Sequence, residues 1–214
     1  MQHRIEKRLE KKLPINLIKE PSVTLILEHV STVNRELKKG QYFFSDVRKE
    51  GILLYDSGEY QLAETKELPL KDRKQIAKKN YNYWFNNGNE FLTHFNYALN
   101  DKSYSKAAFF LHQAAESFYN TVLLVFSGYK PKLHDILELA KRTRNYHYDL
   151  FKIFPYTTPE QVECFKLLRK AYIEARYDEN YKISKKQLLY LISRLKKLKT
   201  VTEKICLAYI NSEH

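Results

Sequence analysis

From residue 72 to the end of the chain, apolar side chains recur every three or four positions, the spacing of helices that each bury one face. The pattern predicts helices over about 72–99, 103–127, 133–142, 159–178 and 184–210. The clearest runs through Ala107, Phe110, Leu111, Ala114, Ala115, Phe118, Val122 and Val125, which form one buried stripe. Ser127-Gly128-Tyr129-Lys130-Pro131 stops it, because Gly suits a left-handed cap and Pro disfavours helix at the residue before it. His134-Asp135 then opens the next helix, so two antiparallel helices are expected, with His112 and Glu116 one turn apart on the packed side. Asn86-Asn87-Gly88 is a candidate kink in the first helix, and no repeat of solenoid period is present. The expectation is an up-and-down bundle with a short extra helix.

Upstream the pattern changes. Residues 3–13 read as the end of a charged helix, and Pro14 to Pro21 as an irregular connection. Residues 23–27, Val-Thr-Leu-Ile-Leu, are β-branched and apolar and predict a buried strand. A helix follows with Ser31 as its cap and Val30 as hydrophobic staple, ending at Gly40. Phe43, Phe44 and Val47 fit a second short helix toward Glu50, and residues 52–55, Ile-Leu-Leu-Tyr, read as another strand. Residues 56–71 carry Ser-Gly, Pro69 and many charges, the composition of a linker. The organisation expected is an α/β segment with its linker over 1–71 and a helical domain over 72–214.

Composition supports a packed core, with 43% hydrophobic residues, 14% of the chain being aromatic. No apolar run approaches the roughly eighteen residues a membrane span needs, and the first thirteen residues lack the apolar segment of a secretory signal, so a cytoplasmic protein without membrane contact is expected. Cys164 and Cys206 lie far apart with no zinc-type spacing, which predicts buried thiols and neither a disulfide framework nor a metal site. Thirty-seven Lys and Arg against twenty-five Asp and Glu give a formal charge of +12, suited to a nucleotide, RNA or another anion, although charge spread over helices is also what plain solvated faces look like. The seventeen tyrosines allow two readings as well. In Lys-Arg-Thr-Arg-Asn-Tyr-His-Tyr-Asp-Leu-Phe-Lys, 141–152, aromatics interleave with basic residues as in nucleic-acid binders, while most such rings serve as bundle core with wet hydroxyls.

Three stretches together resemble the HEPN family, helical domains of prokaryotes and higher eukaryotes associated with nucleotide binding and, in some branches, RNA cleavage. They are KAAFFLHQAAESFYNTVLLVFSGYKPKLHDI at 106–136, LLRKAYIEARYDENYKIS at 167–184, and the stretch at 23–55 with its GQYFFSD and GILLYD pieces, which looks like the second half of a nucleotidyltransferase fold fused to HEPN. The resemblance implies a mainly α chain: a HEPN-like bundle preceded by a small α/β nucleotidyltransferase remnant. It also implies a homodimer through the helical face, and a separately encoded nucleotidyltransferase-domain protein as partner, in the manner of toxin and antitoxin pairs.

Nucleotidyl transfer needs clustered carboxylates to hold divalent metal against a triphosphate. The Gly-Ser turn and Asp-x-Asp strand that supply them in such relatives are missing here, so no nucleotidyltransferase activity is expected of the chain alone; Glu28, at the end of the first predicted strand, reads as a solvated carboxylate or as a mimic of a third metal ligand. RNA-cutting HEPN proteins use an Arg followed about four to six residues later by a His, as phosphate-neutralising cation and proton-transfer group. The matching location runs from Arg176 to Tyr181 and ends in Tyr, whose ordinary pKa of about 10 makes a poor base at neutral pH. Arg142 and His147 have the spacing but fall in a predicted loop, so they are a minor catalytic candidate, and the alternative readings are an RNase or the C-terminal half of a split nucleotidyltransferase whose front half is supplied in trans. The family's pocket positions hold His112, Glu116, Lys130, His134, Arg176, Tyr177 and Tyr181. That set suits a phosphate gripped by Arg176, a base stacked on Tyr177 or Tyr181, and added positive charge from Lys130. The ligand implied is ATP or GTP, with no cofactor required. The structural reading of the same residues pairs Glu116 with Arg176 across the bundle and has His134 bonding backbone at a helix start.

Overall fold

A computed structural model describes residues 25–212 of the chain. The charged helix expected over 3–13, the connection from Pro14 to Pro21, and Val23 and Thr24 of the first predicted strand lie outside the described residues. The chain divides into two units: Met1–Pro69 with Pro131–Leu133, and Leu70–Lys130 with His134–His214.

In the first unit, α1 (Val30–Lys38) and α2 (Tyr42–Glu50) pack on each other around Leu37, Tyr42 and Phe44. The cap of α1 is His29, whose Nδ1 accepts from the Ser31 N–H, and not Ser31 as the sequence suggested. Gly40 turns the chain between the helices at φ +70, and a Cβ there would meet the Lys66 carbonyl oxygen at 2.6 Å. No strand forms among the described residues, which corrects the α/β expectation. Residues 25–27 and 52–55 have strand-like composition, yet a strand exists only when a neighbour takes up its backbone hydrogen bonds. Ile52 and Leu54 are instead 85% and 92% exposed. Glu28 is not a solvated carboxylate either, since its side chain is largely buried and lies 3.5 Å from the Lys132 ammonium.

The second unit is a helical bundle built on α3 (Leu70–Asn100) and α4 (Tyr104–Ser127), joined by a tight turn in which Lys102 takes a left-handed φ of 58. Both follow the predicted bounds closely. The helix α4 is hydrophobic well beyond one stripe, and Ala114 through Val125 are all buried because α3, α5, α7, α8 and α9 surround it. α3 runs unbroken through Gly88, which lets the helices approach, since a Cβ there would sit 2.5 Å from Phe118 Cε1. Gly128 caps α4 in the left-handed region at φ 67, as its position promised.

Downstream, α5 (Ile136–Thr143) is capped by Asp135, whose carboxylate accepts from the Leu137 N–H at 2.9 Å. A single turn, α6 (Tyr148–Phe151), occupies the stretch read as a loop. The helix expected over 159–178 breaks into α7 (Pro159–Lys170) and α8 (Glu174–Tyr177) with no Gly or Pro between them. Tightened bonds from Ile173 N–H to Lys170 O and from Arg176 N–H to Ile173 O make the corner. Finally α9 (Lys185–Asn211) starts on a capping box between Ser184 and Gln187 and buries Leu188, Leu191, Leu195, Leu198 and Ile205 along one face. Cys164 and Cys206 are buried free thiols, and burial pushes the Cys206 thiol up to about 12.

Candidate functional site

Helix α4 carries His112 and Glu116 one turn apart, the loop before α5 carries His134, and the corner between α7 and α8 carries Tyr172 with Arg176 just beyond it. Packing brings these five side chains together. His112 is fully buried, with its Nδ1 2.9 Å from the Leu168 carbonyl oxygen. A carbonyl can only accept, so Nδ1 holds the hydrogen and Nε2 presents a lone pair. Desolvation lowers the His112 pKa; it outweighs the Leu168 carbonyl and the Glu116 carboxylate, which favour the charged ring. His112 Nε2 makes no hydrogen bond and lies 3.9 Å from Glu116 Oε2.

Glu116 is held from its other side. His134 Nδ1 lies 3.1 Å from both carboxylate oxygens and donates to them, while half of the His134 side chain remains exposed. Next to it, Asp135 completes a bidentate pair with Arg169 of α7, at 3.1 and 2.7 Å, which ties the start of α5 to α7. The Tyr172 ring stacks on His134 with centroids 4.3 Å apart and on His112 at 5.3 Å. On α8, the guanidinium of Arg176 lies 4.7 Å from the Tyr172 centroid, 5.0 Å from Phe109 and 4.9 Å from Tyr177. Its Nε donates to the Tyr172 carbonyl at 2.7 Å, and it makes no ion pair among the described residues. The result is an exposed cation fixed in place by one carbonyl and three rings, among them Tyr177, which is 76% exposed. Chemically this can bind an anion bidentately and stack a flat ring.

Glu116 therefore pairs with His134, not with Arg176 across the bundle. Two other residues of the predicted set are engaged elsewhere. The Lys130 ammonium sits 5.0 Å over the Trp84 ring, and the buried Tyr181 hydroxyl donates to the Leu167 carbonyl at 3.0 Å, with burial pushing its pKa up. Of the minor catalytic pair, Arg142 is in the last turn of α5 with its Nε buried and unbonded, and His147 caps α6 by accepting from the Asp149 N–H at 3.3 Å. Tyr172 is the residue that sequence reading passed over. It lies in the turn between α7 and α8, where the sequence predicts continuous helix, so helix spacing gave no signal for it.

The HEPN domain family model matches residues 81–205, more than half of the chain. The chain belongs to the HEPN family. No curated protein matches it. Among the described residues no helix is long and apolar enough to cross a membrane, and no cluster of three or more metal-ligating side chains is present.

Proposed function

We propose that this HEPN domain is a noncatalytic binding module that takes a nucleotide, ATP or GTP, on the face built by His134, Tyr172, Arg176 and Tyr177. The observation that carries the reading is Arg176: exposed, held by rings and a carbonyl, and without a carboxylate among the described residues. A structural arginine is normally neutralised by an acid, whereas one oriented and left unpaired suits a phosphate. Tyr172 and Tyr177 supply stacking surface for the base, and the buried Glu116 carboxylate positions His134 against Tyr172. The neighbouring Tyr at position 181, where cleaving relatives have His, is spent on a backbone carbonyl, which favours recognition over turnover.

The test is a thermal-shift series with ATP and GTP. Binding at a hundredfold excess over Kd should add about 2.7 kcal/mol of stability, and Arg176→Ala should remove the shift while leaving the unliganded Tm nearly unchanged. Flat curves for the unmodified protein, or an undiminished shift in Arg176→Ala, overturn the proposal.

A second role rests on a different observation. Four consecutive apolar residues, 52–55, stand exposed in the first unit beside a groove lined by Val33, Phe43, Val47 and Leu62. We infer that a separately encoded nucleotidyltransferase-domain protein docks there, as in a toxin and antitoxin pair, with the extended segment supplying strand-type backbone contacts. Co-expression with such a partner should yield a complex that Leu54→Lys disrupts; an equally stable complex with Leu54→Lys counts against this docking. Self-association through the helical face belongs to the same proposal and is read by the mass of the purified protein in solution.

A further inference from the structure

On another part of the second unit, α6 and α9 border an open groove of about 450 Å³ lined by Lys152, Arg194, Lys196, Lys197, Thr200 and Asp149. Buried Leu195 and Leu198 anchor this part of α9, and the spacing of Arg194 and Lys197 puts both on the same side of the helix. Arg194 Nε donates to the Ile153 carbonyl, and its Nη2 reaches the Lys152 carbonyl at 3.5 Å, so the arginine clamps the end of α6 without giving up its charge. The Lys152 ammonium lies 4.2 Å over the Tyr148 ring, itself 57% exposed. Four cations thus converge on one groove containing a single carboxylate, and none of the four makes an ion pair among the described residues.

We propose that this groove binds the backbone of single-stranded nucleic acid. Like charges brought together repel one another, and a chain with twenty-five acidic residues has ample means to neutralise them locally. Their convergence is matched by a polyanion whose phosphates follow a groove, with release of counterions supplying the affinity. Tyr148 adds what a simple anion would not use, an exposed ring next to a cation on which a base can stack. A lipid surface is disfavoured, because the apolar residues of the groove wall, Ile153 and Val201, are buried or half-buried and offer nothing to insert into a bilayer. This site is independent of the nucleotide face at Arg176 and shares no residue with it.

The experiment is fluorescence anisotropy with a labelled 12-nucleotide single-stranded RNA and the equivalent DNA, titrated at several salt concentrations. Binding should weaken as salt rises. The pair Lys152→Glu and Lys197→Glu together should lower affinity at least tenfold and flatten the salt slope by about 1.4, two phosphate contacts at about 0.7 each. Tyr148→Ala should weaken binding by about five- to tenfold with the slope kept, the signature of lost stacking. A second reversal, Lys196→Glu with Lys197→Glu, leaves the Lys152 and Tyr148 contact intact and should act in the same direction. Arg176→Ala should leave oligonucleotide affinity unchanged, and the groove reversals should leave any ATP-induced thermal shift unchanged, so the two sites fail separately. Undiminished oligonucleotide binding in both reversals overturns the proposal, as does tighter binding to phosphatidylserine vesicles than to either oligonucleotide.

Discussion

His112 illustrates how burial sets chemistry at a single residue. Its ring is enclosed by α4 and α7 and kept neutral because desolvation of the charged form outweighs its acceptors. The consequence for stability has a definite sign. Once unfolded, the ring has its ordinary pKa of 6.5; folded, its pKa is lower. Below 6.5 the unfolded chain takes up a proton that the folded chain refuses, so stability is undiminished above that pH and declines as pH falls through it, by up to about 1.4 kcal/mol per unit. His112→Asn can still donate to the Leu168 carbonyl but does not titrate. Urea unfolding at pH 7.5 and 5.5 should therefore show a smaller acid-induced loss in His112→Asn than in the unmodified protein; an identical loss in both would mean that His112 is not the group responsible.

Between elements, the decisive contact is the close approach of α3 and α4. Gly88 sits against the fully buried Phe118 ring, which packs in turn on Phe85 with centroids 5.4 Å apart. An alanine there gains about 1 kcal/mol of helix propensity but places its methyl 2.5 Å from Phe118 Cε1, and relieving such overlap in a packed core costs about 1–3 kcal/mol. Gly88→Ala should thus be destabilising by about 1 kcal/mol net, seen as a lower denaturant midpoint with unchanged slope; a raised midpoint would show that the helices separate freely. Sequence alone reads Asn86-Asn87-Gly88 as a weak point in a helix. The contact across the bundle gives the opposite meaning, because what a missing Cβ does depends on what stands opposite it.

At the scale of the whole molecule, the charge of +12 acts in two directions that salt separates. Self-repulsion of a strongly basic fold is screened by added salt, so the Tm of the unliganded protein should rise modestly between about 0.02 and 0.2 M ionic strength. Binding of a polyanion should weaken over the same range. A Tm that falls with added salt would mean that local ion pairs, such as Asp135 with Arg169, outweigh the net repulsion. At this scale the helical part agrees with its periodicity, and the first unit departs from its strand-like composition.

Most helix positions, the stop at Gly128, the burial of both cysteines and the HEPN character of the chain were legible from residues alone, because helix periodicity is a local property within a few residues, whereas the cap of α1 fell on His29 and not on Ser31. Only the tertiary structure decided the rest. It showed that residues 25–27 and 52–55 form no strands, since pairing requires a neighbour that composition does not name. It broke the helix before Tyr172 without a Gly or Pro to announce it, and so set that ring on His112 and His134 and the Arg176 guanidinium on that ring. It gave Glu116 to His134 instead of Arg176 and turned Tyr181 inward. Partner choice among buried polar groups is settled by which helices meet and at what distance, and that information is carried by packing across the bundle.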